Sequence, residues 1–139
     1  MQRIRRWVRE NPKRMRELLN TNPNFVFFEE RVGMGEADGP LGAQAVPLTP
    51  GASVAVDRRY WKLGVPFVTE VTQDNPAMAF ARPVIAQDTG GAIRGVIRFD
   101  YFWGFGDIAG AQAGRQKSRA HAWVLVPRGM KPSDIMTAR

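Results

Sequence analysis

The first twenty residues alternate apolar and polar positions at helical spacing. Ile4, Trp7 and Val8 recur on one side of a basic segment, which predicts an amphipathic helix over about residues 2–10. Asn11 followed by Pro12 is typical of a helix start, and it predicts a second short helix that ends near residue 19. The chain therefore begins with a helical segment, expected over residues 1–22.

The character of the chain then changes to short β-type runs that glycine and proline separate every six to twelve residues. This spacing predicts a mainly β barrel or sandwich, expected over residues 23–127. The runs lie at residues 25–28, 53–56, 66–71, 80–87, 96–102 and 122–126. One further short helix is predicted at residues 108–116 with Asp107 as its N-cap, and residues 128–139 are predicted to form a loosely ordered tail.

Composition and charge narrow the possible functions. The chain has 139 residues, 44% of them hydrophobic, no cysteine and one histidine, which indicates one folded unit without disulfides, iron–sulfur clusters or a histidine-rich metal site. No metal and no cofactor are expected. The uncharged run at residues 39–56 contains three prolines and cannot form a membrane-spanning helix, and the N-terminus lacks the pattern of a secretion signal.

The net charge of +7 is concentrated at the N-terminus. Residues 1–16 carry +6 of it and the rest of the chain only +1, so no broad cationic surface and no nucleic-acid partner are expected. The basic segment has two interpretations, the solvated face of the first helix or a binding site for an anionic polymer. The first is favoured, because apolar residues lie beneath the charges at helical spacing.

Three aspartates each close a hydrophobic β-type run: Asp57, Asp88 and Asp100. Aspartate often follows a strand because its carboxylate can accept hydrogen bonds from the turn, and this explanation fits Asp57 and Asp88. Asp100 has aromatic neighbours on both sides in the sequence, and loss of water around a carboxyl group favours its protonated form. Asp100 is therefore the candidate general acid.

The surroundings of Asp100 carry an opposing influence and a candidate binding surface. Arg98 shares its strand face by alternation and favours the ionised carboxylate, so the sequence leaves the balance open. The glycine pairs and the aromatic rings near the carboxylate suit a sugar ring stacked on a flat face. The candidate substrate-binding residues are Gly90, Gly91, Tyr101 and Trp103.

Several segments together resemble the C-terminal part of the membrane-bound lytic murein transglycosylase A family. They lie at residues 22–28, 42–51, 55–60 and 63–66, and most specifically at residues 86–95, 98–104 and 109–127. The last three are similar to the three-aspartate (3D) domain of that family. The resemblance covers about residues 2–127.

The resemblance implies a small six-stranded double-psi β-barrel that cleaves the β-1,4 bond between N-acetylmuramic acid and N-acetylglucosamine in peptidoglycan without water. It implies that Asp100 is the single acid and base, that Asp88 supports it by hydrogen bonding or charge repulsion, and that Asp57 is either structural or supports the site residues without touching the substrate. Gly90 and Gly91 are implied to lie along the glycan.

The resemblance also implies a location on the periplasmic side of the outer membrane and a second domain that completes the glycan groove. This chain is expected to contain neither that domain nor the signal peptide and lipid-anchor cysteine, and to make no membrane contact of its own. The alternative interpretation is a glycan-binding barrel or an inactive fragment that keeps the groove without turnover.

Overall fold

The computed structural model describes residues 2–24, 27, 30, 33, 35 and 38–137. The chain divides into two compact units, Met1–Gly35 and Glu36–Arg139. The predicted β-run at residues 25–28 lies outside the described residues except for Phe27, which is exposed.

The first unit contains two short helices; the predicted bounds of the first and the predicted end of the second are confirmed, whereas the second α-helix begins three residues later than predicted. Helix α1 spans Gln2–Glu10, a 3-10 turn spans Pro12–Arg14, and α2 spans Met15–Leu19. Asn11 does not act as the predicted N-cap: its side chain donates to the Trp7 carbonyl at 3.0 Å and so closes the end of α1 instead. The carbonyl oxygens of a last helical turn lack helical donors, and this amide supplies one.

The second unit is built on one curled sheet that forms a half-barrel. Its strands are β1 (Ser53–Val56), β2 (Pro66–Gln73), β3 (Met78–Asp88), β4 (Phe99–Tyr101) and β5 (Arg119–Val124), in the order β4-β1-β3-β2-β5. Only β1 and β3 pair in parallel within this sheet. The predicted mainly β fold is confirmed, and the described part of the chain shows five strands where six are predicted.

The core lies on one face of this sheet. Val54, Val56, Val84 and Ala86 are almost fully buried around Phe67, whose ring meets the Phe99 ring edge to face at 5.2 Å. Edge-to-face pairs are a favourable arrangement of aromatic rings. β4 is therefore held against the core by Phe99, which fixes the strand that carries Asp100.

The opposite face of β1 is covered as well. Ser53 is fully buried, and its hydroxyl accepts a hydrogen bond from the Thr49 amide at 2.8 Å and donates to the Gln87 side chain. The segment before β1 therefore lies across the outer face. Gly42 allows this close approach, because a Cβ there would lie 2.4 Å from the Gln87 carbonyl oxygen.

The last part of the chain differs from the prediction in three respects. Helix α3 spans Gly106–Arg115 with Phe105 at its N-cap, so Asp107 lies within the first turn and is not the cap. β5 begins three residues earlier than predicted and ends two earlier. The tail is more ordered than predicted, since it contains α4 (Pro132–Ile135) and Met136 pairs with Trp61.

Within the described part of the chain, no helix is long and apolar enough to cross a membrane.

Candidate active site

Asp88 and Asp100 lie on either side of one residue of β1. Ala55 is in register with Asp88 on β3 and with Asp100 on β4. Residues directly opposite one another on paired strands share a face of the sheet. The two aspartates are therefore on the same face, two strand spacings or about 10 Å apart at their Cα atoms.

A β-bulge produces this alignment. The register between β1 and β3 shifts between Val54 and Ala55, so that Val54 pairs with Ala86 whereas Ala55 pairs with Asp88. A bulge places one extra residue on one strand and turns the following side chain. Here the extra residue is Gln87, and without it Asp88 would point away from Asp100.

A cleft of about 450 Å³ lies between β4 and β5, the two edge strands of the half-barrel. Thr69 and Val71 of β2 form its floor. One wall carries Asp100 and Trp103, and the other is the turn between α3 and β5 at residues 116–118. Asp100 therefore lies at an open seam that a chain-like ligand can enter.

The surroundings of Asp100 are more polar and more hydrated than the sequence predicts. Its side chain is 45% exposed and accepts a hydrogen bond from Arg98 Nε at 2.5 Å. This bond to Asp100 raises the pKa of Arg98. The aromatic neighbours do not dry the carboxylate, because alternation along β4 turns Phe99 and Tyr101 toward the core.

The predicted aromatic residues form a cluster at the end of β4. The Tyr101 and Trp103 rings lie 5.7 Å apart, and both meet the ring of Phe80. Trp103 Nε1 donates to the Gln116 side chain at 2.7 Å, which joins the two walls of the cleft. Trp103 therefore borders the cleft in a fixed orientation.

The Tyr101 hydroxyl is buried and has no hydrogen-bond partner among the described residues. Nearby Thr69 donates its hydroxyl to the Arg82 carbonyl at 3.2 Å instead. Burial raises the pKa of Tyr101, so this phenol stays neutral at physiological pH. Tyr101 and Thr69 both line the cleft, but the phenol oxygen itself is not exposed to it.

Asp88 has a partner other than Asp100. Its carboxylate accepts a hydrogen bond from the Ala43 amide at 3.0 Å, which holds the segment before β1 in place. The predicted hydrogen bond between Asp88 and Asp100 is absent from the described residues. Of the glycines that follow, Gly91 faces open space, whereas a Cβ on Gly90 would touch Ile93 at 3.3 Å.

Asp57 is almost fully buried and accepts several hydrogen bonds. Its carboxylate accepts hydrogen bonds from Arg59 Nη2 at 2.6 Å, from the Arg59 amide at 3.1 Å and from the Gly95 amide at 2.8 Å. The Arg59 side chain is the main reason that the pKa of Asp57 lies far below its usual range, and the Gly95 amide adds to it. Asp57 thus ties the turn after β1 to the turn before β4.

Sequence reasoning missed Gln73, which holds one wall of the cleft. Its side-chain Nε2 donates to the Pro76 and Arg115 carbonyls at 3.0 and 3.1 Å. Its Oε1 accepts from the Lys117 amide at 2.6 Å and from the Ser118 hydroxyl at 2.9 Å. No sequence signal marks this glutamine, because its partners at residues 115–118 are more than 40 positions away.

In the described residues, no cluster of three or more potential metal ligands occurs.

Two protein-family models match this chain. A family model described as "3D domain" matches residues 52–126, which span β1 to β5, and one described as "MltA specific insert domain" matches residues 1–29. The sheet of the second unit is thus a half-barrel of the 3D-domain class. The N-terminal helices match a second domain model, so the expectation that this chain contains nothing of a second domain needs correction.

Curated relatives identify the family. Membrane-bound lytic murein transglycosylase A of Escherichia coli K12 is 39% identical over 132 residues, which cover 90% of this chain and 34% of that protein. The protein of the same name from Vibrio cholerae is 37% identical over 129 residues, covering 88% of this chain and 33% of its own length. The chain belongs to the membrane-bound lytic murein transglycosylase A family. It spans about a third of the length of these relatives.

Solved structures of the family share the fold. Crystallised MltA from Neisseria gonorrhoeae is 44% identical with a TM-score of 0.80, over 94% of this chain and 32% of that one. Escherichia coli MltA with bound chitohexaose is 36% identical with a TM-score of 0.75, over 88% of this chain and 37% of that one. The fold described above is therefore the family's fold over the matched region.

Proposed function

We propose that this chain carries the catalytic barrel of a lytic murein transglycosylase that cleaves the glycan strands of peptidoglycan. The observation that carries the proposal is the pair Asp88 and Asp100, in register on either side of Ala55, with Asp100 lining an open cleft. The resemblance to the family and the chitohexaose bound to the Escherichia coli relative support a glycan as the ligand.

Asp100 acts first as an acid and then as a base. Its carboxyl proton goes to the glycosidic oxygen as the bond from that oxygen to muramoyl C1 breaks. The carboxylate then takes the proton from the muramoyl C6 hydroxyl. As that proton leaves, the C6 oxygen bonds to C1, which gives the 1,6-anhydro product. One carboxyl group suffices, because an intramolecular hydroxyl is already held near C1 and no water needs activation.

The ion pair with Arg98 is compatible with this role. Both side chains are about half exposed, and an exposed ion pair contributes only about 0–1 kcal/mol. A glycan that fills the cleft can therefore replace the pair at little cost. It also expels water from the carboxyl group, which favours the protonated form required for the first step.

The other site residues contact the glycan or support Asp100. Trp103 offers a ring for stacking a sugar, and the Tyr101 ring packs beside it in the same cleft. Asp88 supports Asp100 through its negative charge and through the segment held at Ala43. Gly90 and Gly91 lie along the glycan.

We also infer three features of the whole protein. The half-barrel belongs to a six-stranded double-psi barrel, which the parallel pairing of β1 with β3 supports. A second domain completes the glycan groove, and residues 1–29 are part of it, as the family match supports. The protein works on the periplasmic side of the outer membrane, because the relatives are named as membrane-bound murein enzymes.

The test is product analysis after incubation of the chain with purified peptidoglycan. Mass spectrometry should detect anhydro-muropeptides, and Asp100→Asn should lower their rate of formation by about 10²–10⁴, the usual contribution of a general acid–base group. Asp107→Asn, a change at an exposed aspartate on α3, is the matched control and should leave the rate unchanged. Glycan binding without anhydro products would refute catalysis and favour a glycan-binding module.

A further inference from the structure

A second cavity, of about 560 Å³, lies where β1 and β3 end and is lined by three arginines. Arg58 and Arg59 come from the turn after β1, and Arg94 comes from the turn before β4. The hydroxyl-bearing residues Thr89 and Thr137 complete the polar lining. The proposed reaction uses none of these side chains.

Asp57 assembles this cluster. Its carboxylate bonds to Arg59 on one side and to the Gly95 amide on the other. Arg58 and Arg94 are the neighbours of these two anchored residues in the sequence, so the same anchor brings both to one cavity. Asp57 neutralises Arg59 in doing so.

Two positive charges therefore remain uncompensated. Arg58 and Arg94 are exposed, and neither forms an ion pair or a hydrogen bond with any residue that the structure describes. Asp88 precedes Thr89 in the chain, is not among the residues that line this cavity, and accepts a hydrogen bond from the Ala43 amide. Two free guanidinium groups facing one cavity form a site for an anion, since their planar donors match a carboxylate or a phosphate.

The cavity begins close to the proposed reaction site. Asp57 follows Ala55 by two residues, which is about 7 Å along a strand, and Ala55 lies between Asp88 and Asp100. In peptidoglycan the peptide is attached to the muramic acid ring and carries free carboxylates. An anionic group on a ring bound beside Asp100 is therefore within reach of the arginines.

We infer that Arg58 and Arg94 bind a carboxylate of the peptide attached to the glycan, so that the enzyme distinguishes strands that carry peptides from bare strands. The identity of this ligand rests on the proposed function, whereas the anion site itself does not. A phosphate from another wall polymer has matching chemistry, and the experiment separates the two sources.

The experiment measures binding of a free murein stem peptide to the whole chain by isothermal titration calorimetry, without any glycan. Arg58→Gln and Arg94→Gln should each weaken binding about tenfold, the usual effect of losing a hydrogen bond to a charged group. Arg128→Gln removes an exposed arginine elsewhere in the barrel unit and should leave the affinity unchanged. Urea midpoints equal to that of the parent chain would show that the variants fold.

Two further ligands test the source of the anion. The same peptide with its carboxylates amidated should bind at least tenfold more weakly than the free acid. Inorganic phosphate should compete only at concentrations far above those of the peptide. Equal binding of the amidated peptide, equal binding by the arginine variants, or binding of phosphate without binding of the peptide would each overturn the inference.

Cleavage assays separate this inference from the proposed function. The ratio of cleavage rates on peptide-bearing and peptide-free glycan strands should exceed one for the parent chain and for Arg128→Gln, and should fall toward one in Arg58→Gln and Arg94→Gln. An unchanged ratio in a chain that cleaves both substrates overturns the inference alone. Peptide binding through the arginines in a chain that cleaves neither overturns the proposed function and leaves the anion site standing.

Discussion

Gln73 is predicted to hold the far wall of the cleft in place, and replacing it should lower stability more than its partly exposed position suggests. Its amide makes four hydrogen bonds, to Pro76, Arg115, Lys117 and Ser118. A typical bond of this kind contributes a net 0.5–1.5 kcal/mol, and partial exposure favours the lower end. Gln73→Ala should therefore reduce the free energy of unfolding by about 2–4 kcal/mol, a large share of the 5–15 kcal/mol typical of a domain.

Gln73→Glu separates hydrogen bonding from packing, because the two side chains have nearly the same shape. A carboxylate keeps both acceptor contacts but loses both donations, and it faces two carbonyl oxygens. The protonated acid can restore one donation, so the folded state raises the pKa of this glutamate above its unfolded value of about 4.3. The variant is then destabilised at neutral pH, and part of the loss is recovered as the pH falls through the folded pKa.

Urea denaturation at several pH values is the assay, with hydrogen exchange at the Lys117 amide as a local measure. Thr72→Ala, a change at the exposed neighbouring position, is the control and should cost no more than about 0.5 kcal/mol. The reasoning is refuted when Gln73→Ala costs no more than this control, or when Gln73→Glu loses further stability on acidification relative to the parent.

Three other changes test the anchors of the site. Asp57 has a lower pKa folded than unfolded, so its stabilising effect is complete above about pH 5 and is lost on acidification. Asp57→Asn should therefore flatten the fall of the urea midpoint between pH 5 and 3, and an unchanged slope would contradict this. Phe67→Ala should cost about 3–5 kcal/mol in urea denaturation, since the ring is fully buried, and a cost under 1 kcal/mol would be inconsistent with this packing. Gly42→Ala should destabilise the fold by about 1–3 kcal/mol, because the added Cβ meets the Gln87 backbone. Gly91→Ala, which adds a Cβ in open space, should leave the urea midpoint unchanged and weaken glycan binding in a pull-down assay. A larger loss of stability in Gly91→Ala than in Gly42→Ala would contradict both expectations.

The elements that the sequence predicts well are those with local signals. α1 and β1 have their predicted bounds and α2 has its predicted end, because each is an apolar pattern ended by a proline, a glycine or a turn residue. The resemblance to the family is carried most specifically by the segments that contain Asp88 and Asp100. Local pattern and motif thus give most of the fold class and the candidate acidic residues.

The geometry of the site depends on contacts that no local pattern reports. The bulge at Gln87 that aligns Asp88 with Ala55 comes from pairing with a strand far away in the chain. The hydration of Asp100 was predicted wrongly, because aromatic neighbours in sequence point to the other face of a strand.

The parallel pairing of β1 with β3 also bears on how the chain folds. The β2–β3 hairpin joins residues close in sequence, whereas Ser53 and Ile85, which pair across β1 and β3, are about 30 positions apart. Pairing of distant segments pays the larger loop-closure entropy and slows folding. We therefore expect Asp88 and Asp100 to come into register only at a late step of folding, so that an incompletely folded chain already holds its hairpin but lacks the assembled candidate site.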